Sequence, residues 1–320
     1  MPEPSAERYP GTGGSLRKSQ NGTAGSIEAA DTGRYVPPCW SIDWGCRMRG
    51  MVFACLLFLS AAGGALSETR VALLVANADY ASVPDLANPP NDARTIGRAL
   101  EGAGFSVMRL DNASHDSLRR TLGEFGDRAA RSDVAVIYFA GHGVEVDRRN
   151  YLIPVDATLA DTHDLAFEAV PLDLFRRAAD RASRLSLVVV DACRNNPFLA
   201  RMQGENRSLS RGLARVREGG DNALVAFAAR EGTVAADGEG SNSPYARALA
   251  EALVQPGLEI GMLFRRVRDR VLALTGGVQE PALYGSLSET NFYFVPGGAG
   301  VTTPAAAGGD RTVDLTVWTA

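Results

Sequence analysis

Five short runs of apolar residues, each bounded by turn formers, punctuate the chain: VALLVAN (71–77), FSVMRL (105–110), DVAVIYFAGHG (133–143), LSLVVVDA (185–192) and ALVAFAA (223–229). They are apolar at successive positions rather than alternate ones, the pattern of strands covered on both faces, as in a mostly parallel sheet between helices. Between them the period becomes helical. The segment from Asn91 to Ala103, with Asn and Asp as caps, predicts a helix, as does the one from Ser114 to Arg131, with Leu118, Leu122 and Phe125 on one face. PLDLFRRAAD from Pro171, SPYARALAEAL from Ser243 and IGMLFRRVRDRVLAL from Ile260 read the same way, the first two with proline near the helix start. Strand and helix alternate, so the expected class is α/β with right-handed crossovers. NFYFVP from Asn291 predicts a last strand. Beyond it GGAGVTTPAAAGGD is low in complexity, and the closing RTVDLTVWTA alternates like a strand without an evident partner.

Ahead of the first strand the pattern differs. RMRGMVFACLLFLSAAGGALSETR sets Arg47 and Arg49 before an apolar run from Met51 to about Ala62, followed by Ala65 and Ser67 spaced as in a small-x-small cleavage site. This is the layout of a secretory signal peptide, too short for a membrane span, with cleavage expected after about Ser67. Polar, Gly- and Ser-rich residues precede it, which a translation start at Met48 or Met51 would explain. The expected organisation is a non-native or disordered extension (1–47), a signal peptide (48–67), one folded domain (68–296) and a low-complexity tail (297–320). The expected location is periplasmic or secreted, with no stable membrane association once the signal is cleaved. The alternative is a membrane anchor through residues 51–66.

Composition narrows the chemistry. The net charge of the 320 residues is −4 with both signs interspersed, so there is no basic stripe to neutralise a phosphate backbone, and nucleic acid is not an expected partner. Lys18 is the sole lysine, which removes a P-loop lysine and a Schiff-base lysine. Three of the four cysteines, Cys39, Cys46 and Cys55, would leave with the N-terminal segment. Cys193 then stands alone, and a solitary thiol closes no internal disulfide and makes no Cys-rich metal site. Packing and nucleophile remain as its roles.

Ligands bind a parallel sheet at the loops beyond the carboxyl ends of its strands. One predicted strand ends in YFAGHG, with His142 between Gly141 and Gly143, and another in VVVDAC, with Cys193 at its end. If those strands are neighbours, roughly 5 Å apart, imidazole and thiol face one cleft. The pair makes chemical sense because the thiolate is the nucleophile, and an adjacent imidazole takes its proton and later protonates a leaving amine. The flanking glycines allow close approach of backbone to a substrate, and the N–H groups of Gly143 and Cys193 are candidates for an oxyanion hole. His115 and His163 lie in polar stretches without a matching partner and read as structural.

With these residues in place, the sequence resembles the caspase-like cysteine peptidases, the superfamily of caspases, metacaspases and their bacterial relatives. GHG around His142 matches the family's His-Gly, and DAC from Asp191 to Cys193 matches its Asp-x-Cys. The likeness extends to NPPNDARTIGRALEGAGFSV from Asn88, NYLIPVDA from Asn150 and NSPYARAL from Asn242, and so covers Val71 to about Pro296. The resemblance implies a three-layer fold with a mostly parallel six-stranded sheet and helices on both faces. It also implies hydrolysis of peptide bonds in a protein or peptide substrate through a thioester acyl-enzyme on Cys193. In metacaspases the acids matching Asp191 and Asp92 line the pocket for a basic side chain, which implies a preference for Arg or Lys before the cleaved bond. The sequence departs from many metacaspases in carrying Ala140 where they have serine, and CRNNPF where they have a CHSG-like stretch. No cofactor or metal is implied, no calcium-loop pattern stands out, and calcium dependence stays open. The Arg-rich stretch between Cys193 and the next strand corresponds to the linker that many relatives cut, with Arg211 and Arg217 as candidate self-cleavage points. Two other readings stand beside the endopeptidase: acyl transfer to an amine rather than water, and a catalytically silent caspase-like scaffold that binds peptides.

Overall fold

The computed structural model describes residues 68–193 (the Cys193 side chain excepted), 198, 222–230 and 240–297. The expected extension and signal peptide, Arg211 and Arg217, the RNN of RNNPF and the tail after Gly297 lie outside the described residues.

The apolar runs become the strands of one sheet. β1 (Arg70–Ala76), β2 (Ser106–Asp111), β3 (Val134–Val146), β6 (Leu185–Cys193), β7 (Ala223–Phe227) and β8 (Ala282–Gly285) lie in the order β2-β1-β3-β6-β7-β8. All neighbours along this path are parallel except β7 and β8. β4 (Arg149–Leu152) folds back antiparallel on the end of β3, and β5 (Val170–Pro171) pairs with β4. The described helices are α1 (Pro89–Gly102), α2 (His115–Ala129), α3 (Leu165–Glu168), α4 (Leu172–Ala179), α5 (Pro244–Leu253) and α6 (Ile260–Leu274), with a 3₁₀ turn at Thr162–Asp164. This is the expected mostly parallel α/β sheet with helices on both faces.

Strand alternation divides the core. Along β3, Val134, Val136, Tyr138 and Ala140 pack with α1, α5 and α6, while Ala135, Ile137 and Phe139 pack with α2 and α4. Each fully buried Val, Ile or Phe side chain among these contributes about 1.5–3 kcal/mol, so the two cores together fix which way every strand faces. The helix starts follow local chemistry. Ser114 caps α2 through the Ser117 N–H at 3.3 Å, and Ser243 caps α5 through the Ala246 N–H at 2.9 Å, with Pro244 in the first turn.

Three expectations need correction. α1 starts at Pro89, two residues before Asn91, because proline tolerates the first helical position. Asn91 and Asp92 therefore lie inside the helix rather than ahead of it. NFYFVP is not a strand of the sheet: it makes isolated bridges from Tyr293 to Glu259 and from Val295 to Pro256. Its alternation arises because Phe292 and Phe294 are buried while the Tyr293 and Phe294 carbonyls accept from the Arg70 guanidinium at 3.2 and 2.5 Å. The antiparallel place at the sheet edge belongs instead to β8. Finally, β3 runs past His142 into a hairpin with β4 whose two-residue turn, Asp147 and Arg148, has φ of 50° and 61°.

Candidate active site

The pairing of β3 with β6 starts at Val134↔Leu185 and ends at His142↔Cys193. The last pair lies at the carboxyl edge, where the backbones of the two residues are neighbours across adjacent strands. Gly143, one position beyond that pairing, lies opposite Leu152 of β4.

His142 is 3% exposed and held among aromatic rings. The Tyr80 ring centroid is 4.6 Å from that of the imidazole, and the Phe198 ring meets the imidazole edge-on at 5.9 Å. The His142 backbone N–H donates to the Tyr80 hydroxyl at 2.8 Å, and that hydroxyl donates to the Ile153 carbonyl at 3.3 Å. Gly141 is glycine for a steric reason: a Cβ there would lie 2.7 Å from the Tyr80 oxygen and 3.1 Å from Phe139. The glycine before His142 thus admits Tyr80 to the backbone. Asn77, fully buried, ties the same edge together. Its N–H donates to the Ala140 carbonyl at 2.9 Å, its amide to the Ile153 carbonyl at 3.0 Å, and its carbonyl oxygen accepts from Ala113 at 2.9 Å.

The two acids come together on the face of the sheet covered by α1 and α5. Asp92 and Asp191 are 2% and 8% exposed, which makes neither a surface acid at a helix end. Asp92 Oδ1 accepts from the Asn242 amide at 2.8 Å and from the Ser243 N–H at 2.9 Å. Asp191 Oδ2 accepts from the Tyr138 hydroxyl at 2.9 Å and the Ser243 hydroxyl at 2.7 Å. Burial, reinforced by the charges of Asp191 and Asp92, pushes the Tyr138 phenol well above its ordinary value, so it stays a neutral donor. Tyr245 is raised likewise by burial and by Asp191, and its hydroxyl has no hydrogen-bond partner among the described residues.

Sequence reasoning singled out His142, Cys193, Gly143, Asp92 and Asp191 as candidates but not the neighbours Tyr80, Asn77 and Tyr138 or the contacts of Ser243 with both acids. Ser243 carried the signal of a cap residue ahead of a proline. Tyr138 carried a weaker one, a hydroxyl in the middle of an apolar strand. His115 donates its backbone N–H to Asp156 at 2.9 Å, a structural contact. His163 lines a cavity of about 530 Å³ between the β3–β4 hairpin and the Thr162–Ala166 segment, which contains none of the groups above. Among the described residues no three His, Cys, Asp or Glu side chains converge as a metal site.

A model of the caspase domain family matches residues 69–293. Human mucosa-associated lymphoid tissue lymphoma translocation protein 1 is 30% identical over 92 residues, 29% of this chain and 11% of that protein. Its mouse homolog is 30% identical over 95 residues, 30% of this chain and 11% of that protein. The similarity therefore spans about a tenth of those relatives' length.

Proposed function

Because the chain belongs to the caspase domain family, whose peptidase domain implies protein substrates, we propose that it is an exported cysteine endopeptidase that cleaves after arginine or lysine through a Cys193–His142 dyad. The observation that carries this reading is the β3–β6 register, in which His142 and Cys193 are cross-strand partners at the carboxyl edge. His142 takes the proton of Cys193, and the thiolate attacks the scissile carbonyl carbon. The N–H groups of Gly143 and Cys193 receive the oxyanion. Collapse breaks the C–N bond as His142 passes its proton to the leaving amine, which leaves a thioester. Water, deprotonated by His142, then releases the acid and restores the thiolate. Asp92 and Asp191 take the basic side chain of the substrate, which suits arginine because a carboxylate holds a guanidinium in bidentate fashion. Export rests on the Met51–Ala62 run and its flanks. Self-cleavage after Arg211 or Arg217 is favoured by the high effective concentration of a tethered loop.

The test is hydrolysis of arginyl, lysyl and aspartyl fluorogenic peptides by wild type and Cys193→Ala, with and without calcium. Cleavage of the first two, lost in the variant, is expected. No cleavage of any peptide overturns the proposal, and cleavage after aspartate alone overturns the pocket while sparing the dyad. Mass spectrometry of the exported protein checks its start near Glu68, and a single identical band from both proteins rejects self-processing.

A further inference from the structure

Ser243 touches both buried acids with different atoms. Its backbone N–H donates to Asp92 Oδ1 at 2.9 Å, and its hydroxyl lies 2.7 Å from Asp191 Oδ2. The hydroxyl oxygen also accepts from the Ala246 N–H at 2.9 Å. With its acceptor side turned to the helix, the one hydroxyl proton is committed to the Asp191 carboxylate. The position of that oxygen is not adjustable, because the cap geometry of α5 sets it. Acids from α1 and β6, far apart in sequence, are thus referenced to one residue at the N-terminus of a third element.

Two carboxylates brought together out of water repel, and without donors one of them takes up a proton. A pair that has shared a proton carries one negative charge and binds a guanidinium weakly. Donors aimed at both acids counter this, and the positive end of the α5 dipole acts in the same sense. The Tyr138 hydroxyl and the Asn242 amide add one donor to each acid. Ser243 alone of these contacts both acids.

We propose that Ser243 is a specificity-positioning residue, which holds the Asp92–Asp191 pair at the spacing and charge that select a basic side chain before the cleaved bond. The proposal rests on the arginine reading of the pocket and adds to it. Ser243 does not touch the reacting atoms; it acts through the two acids. A serine that only capped α5 would affect stability and leave substrate choice alone.

The experiment compares matched arginyl and citrullyl peptides, which differ in charge at nearly constant shape. Wild type, Ser243→Ala, Ser243→Gly and Ser243→Thr are assayed for kcat and KM on both. Glycine is nearly as good a cap as serine, so Ser243→Gly removes the hydroxyl from a helix that still starts. Ser243→Ala and Ser243→Gly are expected to lower the arginyl-to-citrullyl ratio of kcat/KM by about tenfold, chiefly through KM for the arginyl peptide. Ser243→Thr, which restores the hydroxyl, is expected to recover the ratio. A folded Ser243→Gly variant with the wild-type ratio overturns the inference and leaves the arginine reading intact. Wild type that cleaves both peptides equally overturns the arginine reading and the inference with it.

Discussion

The Tyr80 hydroxyl sits 2.8 Å from the backbone nitrogen of His142 and accepts its N–H, while the ring of the same tyrosine packs on the imidazole at 4.6 Å. One side chain fixes both the main chain and the ring of the candidate general base. Tyr80→Phe keeps the ring and leaves the buried N–H unsatisfied, at a cost of about 1–3 kcal/mol. The expected outcome is a fall of about tenfold in kcat with little change in KM, because the proposed proton carrier is displaced and the proposed pocket acids are not. Steady-state kinetics on an arginyl peptide decide it, and an unchanged kcat would show that the imidazole is held by other contacts.

The β3–β4 turn offers a stability test away from the site. Asp147 and Arg148 both adopt positive φ, a conformation that two-residue hairpins normally give to Asn-Gly. Arginine gains nothing there and pays steric strain, whereas the Arg148 N–H donation to Glu145 at 2.8 Å survives substitution. Asp147→Asn combined with Arg148→Gly is expected to stabilise the domain by about 1 kcal/mol and leave kcat/KM unchanged. Chemical denaturation measures it; a lower midpoint would contradict the turn geometry.

Glu168 sets an acid limit for one loop. Burial alone would raise its carboxyl, but the N–H groups of Leu159 and Thr158 and the Thr158 hydroxyl outweigh it and hold the pKa below the ordinary 4.5. A depressed folded pKa means stability that is present above the ordinary value and lost as pH falls through the folded one. Glu168→Gln is therefore expected to melt lower than wild type near neutral pH, by about 1 kcal/mol after allowance for solvent screening. The gap should shrink below about pH 4.5 as wild type loses its own advantage. Melting curves across this range check the sign, and a gap independent of pH would mean that the carboxylate charge is not what holds the loop.

How much of this was legible beforehand depends on how local each cause was. The five long apolar runs and the five longer helices carry their own periodicity, and the strand ends that bear His142 and Cys193 followed from parallel-sheet geometry. β8 was not legible, since ALYG is a run of only four residues that follows Pro281 and itself ends in Gly285. The β4 hairpin hid because DR lacks the usual turn signal, and NFYFVP misled because Phe292 and Phe294 alternate with Tyr293 without joining a ladder. Tyr80 sits in a polar loop, and only the tertiary fold brings it to His142, 62 positions away. Asp92 and Asp191 were singled out by resemblance. The serine that joins them had a sufficient local explanation as a helix cap, and nothing local demanded a second.

Arg70, at the first position of β1, is ion-paired with Glu68 and donates to the carbonyls of Ala103, Tyr293 and Phe294. Its guanidinium also lies over the rings of Phe105 and Phe292, at 5.6 and 5.4 Å. It fastens the start of the domain to its last described segment at the amino edge of the parallel strands. His142 and Cys193 stand at the opposite, carboxyl edge. The described part of the chain therefore begins, and is tied to its last described segment, at the opposite end of the same strands from the candidate dyad, so one set of parallel strands separates the fastening from the site.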